Sequence, residues 1–200
     1  MAIHTHFNTM LTDSPSLNID ITAIELTSNQ PTVATQSLSG RTQVRSFGGQ
    51  YWSARIVMPP MTQEQLRRVY AFLVQQKGSL TSFTISPTNL ANVSGTQQNS
   101  RGITSTNAIG ATSVTMDDSN EFAAGDMINF SGHSKAYMVT DHDGATLKFE
   151  PALISAVAAT ENVLSKDNFK LTVRLAGESV KYFEGADGFA SLEFDVVEVV

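Results

Sequence analysis

The sequence predicts a mainly β protein of two domains, and three observations carry that expectation. Apolar residues recur at every second position through much of the chain, while one stretch alone keeps a helical period. A polar, aperiodic segment from Pro87 to Asn107 then divides the pattern. Composition agrees: 41% of residues are hydrophobic, only 16% are charged, and roughly a third are Ser, Thr, Asn or Gln.

The elements follow in order. Weak strands are expected at Leu17–Leu26 and Arg41–Phe47, with the polar segment Thr27–Ser39 between them. In Gln50–Met58 the positions Trp52, Ala54, Ile56 and Met58 are apolar, with Ser53 and Arg55 between them, so one face turns inward. After Pro59 and Pro60 comes the single helix, Thr62–Lys77. Thr62 and Gln65 have the spacing of a capping box, and Met61 can staple onto Leu66. Leu66, Val69, Tyr70 and Leu73 form its apolar stripe, Lys77 sits in its last turn, and Gly78 ends it.

Further strands are expected at Leu80–Ile85, Ser113–Met116, Asp126–Phe130, Ala136–Thr140 and Thr146–Phe149. Asp143-Gly144 has the chemistry of a type I′ hairpin turn. Phe169, Leu171, Val173 and Leu175 alternate with polar residues, as do Leu192, Phe194 and Val196 near the end. Residues 90–166 contain their own strands and turns, whereas the flanking parts look incomplete alone. The reading is therefore a β-sandwich or barrel domain from 1–89 plus 167–200, holding the helix, with a small β domain inserted at 90–166.

Composition also excludes function classes. The net charge of −6 lacks the footprint of a nucleic-acid binder. With no cysteine there can be no disulfide scaffold, Cys-ligated zinc or thiol nucleophile. Met1–Met10 lacks a signal-peptide pattern, and no apolar run approaches the ~20 residues of a membrane span, so no membrane insertion is expected.

Candidate chemistry is sparse. His4-x-His6 has strand spacing for two ligands but no third, and His133 and His142 stand alone in expected loops. Asp141-His142-Asp143-Gly144 opens like a calcium loop, without the later ligands, and reads better as a hairpin. Asp117, Asp118 and Glu121 flank an expected loop beside Phe122. Gly48-Gly49 precedes a strand and not a helix, which leaves no phosphate cradle. Phe47, Tyr51 and Trp52 have the makings of a sugar platform, but Trp52 falls on the apolar face of its strand. No catalytic signature occurs, so the expectation is a protein that is no enzyme and has no cofactor or metal site.

Two blocks of residues resemble the distal tail protein family of siphophages, in the type with an OB-fold domain inserted into a ring-forming β domain. The first is Gln50-Tyr51-Trp52, the Pro-ended strand Ile56–Pro60 and the capped helix to Gly78. The second runs from Gly110 and Val114 through Ala124-Gly125-Asp126-Met127-Ile128-Asn129-Phe130. It continues by His133, Lys135, Tyr137 and Val139 to Leu147, Phe149, Pro151 and Leu153. Together they cover about residues 50–175, and other minor tail proteins, such as tail completion or tip proteins, share similar blocks.

The resemblance implies that the insert at 90–166 is an OB-like β-barrel and that the chain is a structural virion protein of the tail tip or baseplate, made in the bacterial cytoplasm. It implies a homohexameric ring that joins the tail tube protein to hub and tip proteins. Thr27–Ser39 and the N-terminus are then candidate arms, and Glu193, Asp195 and Glu198 candidate linings of a channel that repels DNA. The competing reading is a module that binds carbohydrate or another host-surface group through the inserted domain, with Tyr137 and Phe122 as stacking candidates.

Overall fold

A computed structural model describes residues 5–6, 18–19, 21, 23–87, 90, 100–117, 122–184 and 189–200. It is mainly β, with one α-helix among the described residues. Two-residue strands β1 (Thr5–His6) and β2 (Asn18–Ile19) pair with each other. The strands β3 (Ala23–Asn29), β4 (Thr32–Gln36), β5 (Thr42–Ser46) and β6 (Tyr51–Val57) make one long hairpin, β3 pairing β6 and β4 pairing β5. Next come β7 (Met61–Thr62), the helix α1 (Gln63–Gln75) and β8 (Phe83–Ile85). A run of six strands follows: β9 (Ser100–Gly102), β10 (Ser113–Thr115), β11 (Met127–Phe130), β12 (Ala136–Asp143), β13 (Thr146–Glu150) and β14 (Asn162–Leu164). After a 3₁₀ turn at Lys166–Asn168 the chain closes with β15 (Leu171–Leu175), β16 (Lys181–Glu184) and β17 (Phe189–Glu198).

Thirteen of these strands form two main antiparallel sheets, each with its own core, while β1–β2 and β4–β5 are two-stranded pairs. The larger has the order β3-β6-β17-β15-β8, with β7 and β16 also paired to β17. Strand alternation places Trp52, Ala54, Ile56, Leu192, Phe194 and Val196 on its inner face, where α1 packs. The helix begins as the sequence predicts: Thr62 Oγ1 accepts from the Gln65 amide while Gln65 reaches back to the Thr62 amide. It ends two residues earlier than expected, with Gln76 as C-cap. Lys77 is therefore no part of the last turn; it and Gly78 both take positive φ, +53° and +68°. Gly78 also lies against Glu178, whose Cα would be 3.4 Å from an added Cβ. Leu66, Val69, Phe72 and Leu73 are buried, and Phe72 meets Phe83 edge to face.

The smaller sheet runs β10-β13-β12-β11-β14-β9. Its two edges meet: Ile103 bridges Met116, the Thr104 amide donates to Thr115 O at 2.9 Å, and the Asp117 amide donates to Gly102 O at 3.2 Å. The six strands thus close into a small barrel, which removes the free edges of a flat sheet. Phe130, Tyr137 and Phe149 fill it in mutual edge-to-face contact, with centroids 5.2–5.3 Å apart. The β12–β13 hairpin is present, but its loop is Gly144-Ala145, one residue later than expected. Positive φ falls on Gly144 alone, the pattern of a type II′ turn and not type I′.

Candidate interaction surface

Beyond the large sheet, the hairpin of β4 and β5 projects as a two-stranded ribbon. Every residue from Gln30 to Gly49 is exposed, a condition in which a hairpin is marginally stable by itself. It keeps its form through the ladder from Thr32↔Ser46 to Gln36↔Thr42 and a tip in which Gly40 has φ +80°. Its base is tied by the Phe47 amide donating to Pro31 O at 3.1 Å. Ala34 and Val44 face each other on one side, and Val33 and Arg45 on the other. Val33, Leu38, Val44 and Phe47 are 47%, 112%, 68% and 66% exposed. The ribbon carries Arg41 and Arg45 and no acid, in a chain of net charge −6. A cationic, apolar ribbon with open backbone edges is suited to strand addition or docking on an anionic surface.

The expected arm at Thr27–Ser39 is therefore displaced. Thr27–Asn29 pair with β6 inside the large sheet, and the projecting element is two-stranded, taking in the strand expected at Arg41–Phe47. Of the expected N-terminal arm only the pair Thr5–His6 and Asn18–Ile19 is described, and His4, Asp118 and Glu121 lie outside the described residues.

The candidate channel residues separate. Glu193 and Asp195 are exposed on the outer face of β17, where Arg55 forms an ion pair with Glu193 and has Asp195 and Glu25 as strand neighbours in register. Those carboxylates raise the Arg55 pKa. Glu198 cannot belong to that face. Its even position puts it inward with Leu192, Phe194 and Val196, and its side chain is wholly buried.

Buried, Glu198 sits where barrel and sheet meet. One carboxylate oxygen accepts from the Ala136 amide of the barrel at 2.8 Å. The other accepts from the Trp52 amide of the sheet at 3.1 Å and pairs with Lys135. The Lys135 ammonium also donates to Gln50 O and Oε1, both at 2.9 Å, and the Trp52 indole donates to Ala136 O at 2.9 Å. Asn129 continues the joint, donating to Lys135 O and accepting from the Lys170 amide, both at 2.9 Å. Burial lowers the Lys135 pKa, against the pull of Glu198.

The candidate stacking residues are also corrected. Tyr137 is 0% and Phe122 6% exposed, both within the barrel core, so neither offers a ring to a sugar. Burial pushes the Tyr137 hydroxyl up to about 12; it accepts from the Ile154 amide and faces His133 Nδ1 at 3.4 Å. His133 is thus built into the barrel, not a free loop histidine, with Nε2 3.3 Å from Ala156 O. His142 Nδ1 accepts from the Phe122 amide, and Asp141 pairs with Lys148 across the strands. Trp52 is buried as expected, while Phe47 stands out on the ribbon. An open cleft of about 570 Å³ lies beside the joint, lined by Thr84, Asn129, His133, Lys170 and Thr172 among others.

Among the described residues no three His, Asp or Glu side chains converge as metal ligands, and no helix is long and apolar enough to cross a membrane. Lys135 and Gln50 carry no signal of the joint in the sequence, because lysine is rarely buried; the parity of Glu198 on its strand is the one pointer to it. No protein-family model matches the chain, and no curated relative matches it either.

Proposed function

We propose that this chain is a structural subunit of a bacteriophage tail tip or baseplate, assembling into a homohexameric ring between the tail tube and the hub or tip proteins. On this reading it is a virion protein and not an enzyme, and the barrel is an OB-like domain inserted into the ring-forming domain. The observation that carries it is the exposed ribbon of β4 and β5. A monomer gains nothing from holding Val33, Leu38, Val44 and Phe47 in water on an unsupported hairpin, whereas a neighbouring copy can cover them. Its two arginines match the anionic remainder of a second copy, as a head-to-tail ring requires. Glu193 and Asp195 remain candidates for an anionic channel lining.

The test is mass measurement and electron microscopy of the purified protein, with and without Val44→Asp and Phe47→Ser. Wild type is expected to form six-fold rings, and the paired substitutions to leave a folded monomer. A chain that stays monomeric at high concentration and inside its native particle overturns the reading. Rings from the substituted protein would remove the ribbon from the interface.

A further inference from the structure

We propose that Lys135, Glu198, Gln50 and Trp52 form an orientation lock, a device that holds the barrel at one angle to the large sheet and frees it, both parts still folded, when either charge is removed. Each part has its own apolar core, and among the described residues of 90–166 Leu90, Met127, Ala136 and Met138 reach the core of the sheet. The centre of the joint is polar and fully satisfied. The ammonium spends its three protons on Gln50 O, Gln50 Oε1 and Glu198, and the carboxylate takes one amide from each side of the joint.

Apolar contact alone tolerates sliding, but these directional bonds fit one arrangement only. Both charged side chains are 0% exposed. Losing one leaves the other buried without its counter-charge, a state relieved by admitting water to the joint. Barrel closure uses none of these bonds, and within the large sheet they add only the Trp52 amide contact with Glu198 to the β6–β17 ladder, so opening the joint need not unfold either part.

Trp52 is the only tryptophan and its indole donates across the joint, so its emission reports the lock directly. The experiment compares wild type with Lys135→Met and with Glu198→Gln, which keeps the side-chain shape. Each variant is expected to shift Trp52 emission to the red. Hydrogen exchange at the Trp52 and Ala136 amides should quicken by about a hundredfold or more. Far-UV circular dichroism and the exchange of Ile56, Val139 and Phe149 should stay as in wild type. Unchanged emission and protection overturn the proposal. So does loss of circular dichroism together with the emission change in both variants, because the pair would then hold the fold itself; if one variant alone unfolds, the other decides.

Discussion

Strand β17 carries two glutamates five residues apart, each facing a cation, and their surroundings make them opposites. Glu193 meets Arg55 on the outer face, where both side chains are about half exposed. Glu198 meets Lys135 in the joint, where neither touches water. In water the outer pair gains little, since solvent screens the attraction and two long side chains must be ordered. In the joint, each charge has given up its hydration and depends on its partner and neighbouring amides. A salt bridge is therefore described by its site before its chemistry: a carboxylate paired with a cation is nearly dispensable in the middle of the strand and obligatory at its end.

The sharpest break in that comparison comes from Glu198→Ala, which leaves the Lys135 ammonium buried without its counter-charge. It is expected to destabilise the joint by about 3–5 kcal/mol, read by urea denaturation followed through Trp52 emission. Replacing both partners, as Lys135→Met with Glu198→Met, removes the stranded charge and should recover part of that loss; a double variant no better than the single one would mean the cost lies in the unbonded Trp52 and Ala136 amides and Gln50 oxygens and not in the charge.

A buried proton in the barrel extends the contrast to Tyr137. Its folded pKa, about 12, lies above the unfolded value near 10, so the unfolded chain ionises first as pH rises. The tyrosine's contribution is full below about pH 10 and is lost by pH 12, a difference of about 3 kcal/mol. Alkaline unfolding followed by absorbance and circular dichroism should show that slope, and Tyr137→Phe should flatten it. The smallest effect belongs to Glu193→Gln, expected to match wild type in urea denaturation at physiological salt. A loss as large as that of Glu198→Ala would erase the distinction between the two pairs.

Much of the fold was legible because burial imposes period. The alternation in Gln50–Met58 and around Leu192–Val196 records which side of the large sheet faces α1, and the Thr62–Gln65 box marks the helix start. Several strands without that imprint were not, although β5, fully exposed, was expected within Arg41–Phe47. β4 has no buried face to alternate against, and β9 and β14, three residues each, take their place through barrel closure at Ile103 and Met116. The candidate site was less legible. Tyr137 and Phe122 look alike as sugar platforms or core fillers until the barrel closes around them. Lys135 reads as a solvated strand-end residue, and only the tertiary arrangement supplies the carboxylate that lets it be buried.

The pairing of β9 with β14 sets Ser100 opposite Leu164, and that of β8 with β15 sets Ile85 opposite Leu171. The polypeptide therefore departs from one part and returns to it at neighbouring points, and does the same in the other. Such a layout makes the barrel a cassette, open to exchange by recombination or engineering with a short splice closing the gap. The splice has one condition. Excising the cassette takes Lys135 and the Ala136 amide with it, so a trimmed chain must also surrender its carboxylate at position 198.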